Sequence, residues 1–468
     1  MNNILTTNIQ TNENNGQINK NSALFVLCLA SFSVPFMGSA INLSLPQIGA
    51  SFSMGAVSQS WVATIYLIST AIFQVPFSRM ADLLGRKKIF VSGLMLFGVS
   101  TFLCGLSPSG AVLIIMRALS GLGCAMMFGT SMAILVSVFP PQSRGKAIGI
   151  NTAAVYFALA SGPFFGGILT HNLGWQSLFY LVGFMSIAVA IIAVIVLKSE
   201  WTEAKGEGFD YFGSMIYALG LFGLIFGFSE LPAAFGFAMI AIGIICFTAF
   251  TFYELKYKHP VFNVRIFSNN KLFGLSCLSA LLNYACISAV AFMMSLYLQY
   301  IRGLSPQKAG LILIVQACIQ CLISFYAGRL SDRLNPSALA TAGMAVIVAG
   351  LTGLIFISPD TPISFIIFLL FLLGFGFGLF SSPNSNMIMS SVDKKYYGQA
   401  SATMGTMRLT GQAFSMGIAT MAISLSVGNN TITPHFHSDF MNGFHVTFII
   451  CAVLSVVGTY ASSFRIKR

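Results

Sequence analysis

Arg79, Asp82, Arg86, Lys87 and Lys88 fall within one short stretch, "FSRMADLLGRKKIF" (77–90), between two long apolar runs. Charges of both signs at that spacing form charge-assisted hydrogen bonds and attract anions. They do not supply the paired acid and base of an active site. A second stretch, "YAGRLSDRLNPS" (326–337), repeats the pattern with Arg329, Asp332 and Arg333, the aspartate again three residues after an arginine. Other chemistry-bearing residues are sparse. His171, His259, His435, His437 and His445 lie in loops or at the edge of an apolar run. Catalysis at membrane depth would need clustered His, Asp or Glu, so no enzyme is expected. His435, His437 and Asp439 read as a polar loop, with no metal site expected. Cys318 and Cys321 have CxxC spacing inside an apolar run, where they read as small packing residues. A phosphate-binding GxxxxGK[ST] is absent, which argues against a nucleotide-driven machine.

The elements that must position these charges are membrane helices. The chain is 56% hydrophobic and 8% charged, against about 25% charged in soluble domains. Apolar runs of about 20 residues recur, each long enough to cross the hydrocarbon layer. They predict an all-α polytopic protein with fourteen spans, near 23–43, 59–80, 89–106, 111–138, 146–169, 176–197, 212–230, 233–254, 272–300, 308–329, 338–357, 363–390, 399–427 and 444–463. The pair at 212–254, separated only by "ELPAA", is the least sharply divided. Residues 1–22 form a polar tail expected to be disordered, with no signal peptide.

Net charge supports the topology and excludes another partner. The formal charge of +12 is split among many short loops, with no basic stripe to follow a nucleic acid. With the N-terminus in the cytoplasm, twenty of the 24 lysines and arginines fall inside and only Arg302 and Lys308 outside. Arg117 and Arg408 lie within spans. The positive-inside rule therefore expects both termini, the second being the 465–468 tail, on the cytoplasmic side of the cell membrane. The twelve carboxylates all fall in tails, loops or span ends, none near a span's middle.

The chain also repeats itself. "FSRMADLLGRKK" ends the second span and "YAGRLSDRLNPS" the tenth; "SVFPPQSRGKAIGINTA" follows the fourth and "SSVDKKYYGQASATMGT" the twelfth. Span n matches span n+8. This predicts two six-helix bundles, residues 23–198 and 259–464, with 199–258 contributing a linker and two inserted helices.

These motifs resemble the major facilitator superfamily, in its fourteen-span drug/proton antiporter (multidrug efflux) branch. The loop motif is matched through Asp82, Gly85, Arg86 and Lys87, although Ser78 stands for its first glycine. "MRALSGLGCA" matches a fourth-span pattern through Arg117, Gly121 and Gly123; "ASGPFFGG" matches the antiporter signature through Gly162, Pro163, Gly166 and Gly167. The resemblance implies a latch in which Asp82 meets the helix start near Gly398, and Asp332 the one near Gly145. It also implies a gating fifth span, where Pro163 permits bending and Ala158, Gly162 and Gly166 allow close helix approach. Arg86, Lys87 and Lys88 are then expected to hold the loop at the anionic inner leaflet.

Met37, Asn42, Asn151, Asn283, Gln316, Gln320, Asn384 and Gln412 are candidate cavity residues, alongside the intramembrane Arg117 and Arg408. One departure matters. Many relatives carry an acidic residue in the first span, where "FMGSAINLSLP" has Met37. Three routes stay open: protons carried through Asp82, Asp332 or Glu230; a neutral or anionic substrate read by the arginines; or transport without proton coupling. The expected partners are a small-molecule substrate and the lipid bilayer, with the chain working as a monomer. No cofactor is expected, the energy coming from a proton or other ion gradient.

Overall fold

The computed structural model describes residues 20–465 except 203–205, 207, 232, 258–260, 262–263, 265–266, 268–269, 332–333, 393–396 and 429–431. The described residues form fourteen α-helices and no strands. In chain order these are α1 (Lys20–Phe52), α2 (Ala56–Leu84), α3 (Arg86–Gly105), α4 (Gly110–Val138), α5 (Pro141–Leu173), α6 (Gln176–Val196), α7 (Tyr211–Ser229) and α8 (Ala234–Glu254). They continue as α9 (Lys271–Leu296, extended by a π turn to Ile301), α10 (Pro306–Ser331), α11 (Pro336–Ile355), α12 (Ile363–Ser390), α13 (Tyr397–Ser426) and α14 (His437–Ser463). Thirteen are long and apolar enough to cross a membrane. The other, α13, is equally long but rich in Ser, Thr and Gly and carries Arg408. The stretch 212–254 does resolve into two antiparallel helices, their glycines Gly223 and Gly243 in close approach.

Polar caps start several helices. Ser109 accepts from Val112 N at α4, Asp210 from Gly213 N at α7, and Asn270 from Phe273 N at α9. Proline does not always end a helix here. The first span was expected to stop at residue 43, yet α1 runs on through Pro46 to Phe52. Pro46 cannot bond the carbonyl of Asn42, and Ser295 Oγ on α9 donates to that oxygen at 2.7 Å. A freed carbonyl met by a neighbouring helix removes most of the proline penalty in lipid.

Apolar side chains cover the outside as well as the interior. Phe184 is 70% exposed and Ile195 68%, as suits a protein whose solvent around its middle is hydrocarbon. Packing between helices follows one rule. α1 packs on α5 and α6, α2 on α4, and α3 on α4 and α6. Raising every number by eight gives five more observed pairs: α9 with α13 and α14, α10 with α12, and α11 with α12 and α14. Two seams join the first six helices to the last six, α5 against α10 and α2 against α13, and the same shift exchanges them.

α7 and α8 have no counterpart under this shift. α7 lies along the α2–α13 seam, with Trp61 against Phe226 and Phe228 against Phe414, both at 5.5 Å between ring centroids. Ile225 is buried there among Ile68 and Leu409. α8 packs on α7 and is otherwise largely exposed.

Candidate functional site

The loop between α2 and α3 is a single residue. Gly85 sits at φ +119°, a conformation only glycine adopts without strain, and a Cβ there would stand 2.5 Å from Glu200 Cδ. Across this break Asp82 Oδ1 accepts from Arg86 Nε at 2.9 Å, and Arg86 Nη1 donates to Ser137 Oγ on α4 at 3.1 Å. The Arg86 side chain thus ties the ends of α2, α3 and α4 and is only 9% exposed. This corrects its expected role as a lipid anchor: the neighbouring carboxylate and hydroxyl draw it inward. Glu200, beyond α6, accepts from the backbone N–H groups of Lys87 and Lys88 at 2.8 and 3.2 Å. It neutralises the positive end of the α3 dipole. Nothing in the sequence pattern paired Glu200 with this loop. Asp332 and Arg333 lie outside the described residues, as does the side chain of Arg329. Residues 393–396, just before Gly398, also lie outside them.

The antiporter-type stretch places α5 between α1 and α10. Gly166 faces Ala40 on α1, its added Cβ falling 2.6 Å from the alanine's Cβ. Gly167 faces α10, where an added Cβ would stand 2.6 Å from Pro306 O and 3.1 Å from Gln307 Cα. Gly310 on α10 lies directly against the carbonyl of Pro163. This end of the seam is far from the lysine-rich loops. On the same face Ser60 Oγ accepts from Thr420 Oγ1 at 2.8 Å and Gln59 Oε1 from Tyr300 OH at 3.4 Å. The protein is closed on the face opposite its basic loops.

Near mid-span the two sets of helices meet through polar and aromatic groups. Arg408 on α13 lies over the Phe128 ring of α4, 5.4 Å from its centroid. Tyr284 on α9 and Cys124 on α4 lie in its neighbourhood. Tyr156 on α5 is 3.3 Å from Ser381 Oγ on α12, which is 3.3 Å from Ser324 Oγ on α10. Sequence reasoning found Arg408 but missed Phe128, Tyr156, Tyr284, Ser324 and Ser381. In spans this rich in aromatic and small residues, type alone does not mark them.

Arg117 is placed elsewhere. It is 1% exposed, packed between α2, α3 and α4, with Nε donating to Val62 O at 3.0 Å. Its guanidinium lies 4.3 Å from the centroid of the Tyr66 ring, and Nη1 has no partner. No carboxylate among the described residues pairs with Arg117 or Arg408.

The candidate cavity residues divide in two. Gln316, Gln320 and Gln412 are half-buried. Met37, Asn42, Asn151, Asn283 and Asn384 are buried, leaving Asn151 Oδ1 and Asn283 Nδ2 without a partner. Asn384 is engaged by a residue taken from sequence as a surface base. Arg465, 4% exposed, donates from Nη1 to Asn384 Oδ1 at 2.6 Å and to Ser276 Oγ at 3.0 Å, and from Nη2 to Ser462 Oγ. It joins α9, α12 and the end of α14. Burial lowers its pKa to about 10, so it remains a cation at neutral pH.

The helical arrangement is shared with a bacterial homolog of the human lysosomal transporter Spinster, in its inward-facing, unoccupied conformation. The TM-score is 0.71 at 16% identity, covering 96% of this chain and 98% of that one. The sequence profile of the Major Facilitator Superfamily matches residues 27–416 and again 276–467. The chain belongs to the Major Facilitator Superfamily. It is a multi-pass membrane transporter of that superfamily, and curated relatives match it over about three quarters or nearly all of their length. The riboflavin transporter RibZ of Clostridioides difficile is 27% identical, over 95% of this chain and 97% of its own. The uncharacterized transporter YebQ of Escherichia coli is 29% identical, over 92% of each. The multidrug resistance protein Stp of Mycobacterium tuberculosis is 27% identical, over 84% of this chain and 74% of its own.

Proposed function

We propose that this superfamily member is a secondary transporter that exports amphipathic small molecules across the cytoplasmic membrane by alternating access, driven by proton antiport. Two six-helix bundles, residues 23–198 and 259–464, would rock about the mid-span cluster, with α7 and α8 inserted between them. The observation that carries the reading is the pair of seams, α5–α10 and α2–α13, exchanged by the eight-helix shift. Two halves related in this way can close on one face while parting on the other. With the basic loops and both termini in the cytoplasm, the closed face is the outer one. Asp82 then belongs to the cytoplasmic latch, and its ion pair with Arg86 is the arrangement in this conformation.

A second reading is favoured by a specific feature. The mid-span cluster holds Arg408 over the Phe128 ring, with no carboxylate ion-paired to it among the described residues. Such a cluster suits a neutral or anionic endogenous metabolite better than a lipophilic cation. The riboflavin transport named for one relative is compatible with it. Purified protein in proteoliposomes under an imposed pH gradient, offered cationic, neutral and anionic amphiphiles, tests both. Gradient-driven movement of cations alone would exclude the metabolite reading. Movement indifferent to the gradient would exclude proton antiport.

A further inference from the structure

Three lysines converge on one groove at the basic face, between the start of α3 and the end of α6. The groove has a volume of about 420 Å³ and is lined by Lys87, Lys88, Val91, Ser92, Val194 and Lys198, with Glu200 at its edge. On α3, Lys88 stands one helical turn above Val91 and Ser92; Lys198 lies just past the end of α6, on the stretch that follows Val194 out of the helix. Both walls therefore present cations at the membrane edge and hydrocarbon one turn deeper. Val194 is 52% exposed, and Ile195 beside it opens on the same lipid-facing surface.

The charges are not consumed locally. Glu200 spends its oxygens on the α3 backbone, and Lys87 Nζ donates to Val194 O at 3.3 Å. The ammonium groups of Lys88 and Lys198 make no hydrogen bond among the described residues. Ser92 Oγ donates to Lys88 O at 2.8 Å and keeps its lone pairs free. The groove thus offers two unengaged cations, a third cation partly engaged, and an apolar floor continuous with the bilayer. We infer that it is a binding site for an anionic phospholipid, its phosphate between Lys88 and Lys198 and an acyl chain descending over Val91 and Val194. A free phosphate would use the lysines alone; the aligned valines select a ligand with a tail. Placing this lipid in the inner leaflet rests on the proposed orientation of the basic loops.

The test is native mass spectrometry of the intact detergent-solubilised protein, titrated with dioleoyl phosphatidylglycerol, dioleoyl phosphatidylcholine, glycerol 3-phosphate and inorganic phosphate. Detergent removes any dependence on orientation or transport, so a failure here is separable from a failure of the function proposed above. The expected result is retention of phosphatidylglycerol in preference to phosphatidylcholine, weakened about 30-fold in the Lys88→Gln/Lys198→Gln variant, since each lysine near a lipid surface contributes about a factor of five. Both residues are exposed, so folding should persist, and the preference in the unaltered protein tests the site without any variant. Equal retention of the two lipids, or unchanged affinity in the folded variant, overturns the proposal. Displacement of phosphatidylglycerol by glycerol 3-phosphate or inorganic phosphate at similar concentration also overturns it, showing a plain anion site.

Discussion

Gly167→Ala tests whether the α5–α10 seam is the closing surface. The added methyl would stand 2.6 Å from Pro306 O and 3.1 Å from Gln307 Cα, where ordinary contact begins at 3.4 Å. Both obstacles are backbone, so no rotamer change relieves them. The helices must part by about 0.8 Å at this end. Overpacking of this kind costs about 1–3 kcal/mol. Only the closed arrangement bears that cost, because separating the helices removes it. The ratio of closed to open protein should therefore fall by about 5- to 150-fold. Alanine's higher helix propensity acts equally in both states and cancels. The measurement is electron–electron resonance between spin labels at Ser53 and Lys308, both exposed on the closed face, in a background lacking reactive cysteines. Gly167→Ala should populate longer distances. Gly38→Ala, with nothing within 4 Å of its added Cβ, should leave the distribution unchanged. A folded Gly167→Ala protein with the parental distribution would refute the assignment of this seam as a gate.

Three further outcomes are expected. Asp82→Asn keeps an acceptor for Arg86 and removes a partly exposed charge worth about 0–1 kcal/mol to folding, so turnover should fall far more than the amount of folded protein. The reverse pattern, measured by transport per molecule against membrane abundance, would make Asp82 structural. Arg408→Gln should shift preference from anionic towards cationic amphiphiles by about tenfold, one opposite-charge contact's worth, and an unchanged order in the liposome panel would count against the cluster as the reading site. Asn384→Ala removes an acceptor from the buried Arg465 and should cost about 1.5–3 kcal/mol, seen as a lowered Tm in detergent; an unchanged Tm would remove the residue from the packing argument.

The helices were legible because each requires a long uninterrupted apolar run, and the repeat because its two charged loops are hard to mistake in so apolar a chain. The path of the side chains was less so. Arg86 and Arg465 each follow or precede an apolar run and look alike as topology signals, yet both turn inward to oxygens supplied by distant helices. Those oxygens belong to serines and an asparagine that periodicity does not single out. The length of α1 escaped for a related reason: Pro46 reads as a stop until the hydroxyl of Ser295, some 250 residues away, is known to take the freed carbonyl. Arg117 and Arg408 look equivalent as intramembrane cations. Tertiary packing sends one into the interface of α2, α3 and α4 and the other across to Phe128 on α4.

α7 and α8 give the molecule two unlike flanks. α7 and α8 shield the α2–α13 seam from the hydrocarbon, while no described helix covers the α5–α10 seam. There Phe157, Phe165, Leu311 and Phe325 stand exposed to the bilayer. A solute dissolved in the membrane meets a shuttered wall on one flank and a bare join between helices on the other. Two seams exchanged by one shift of helix number thus differ in what lies outside them, a helix pair on one flank and bare aromatic side chains on the other.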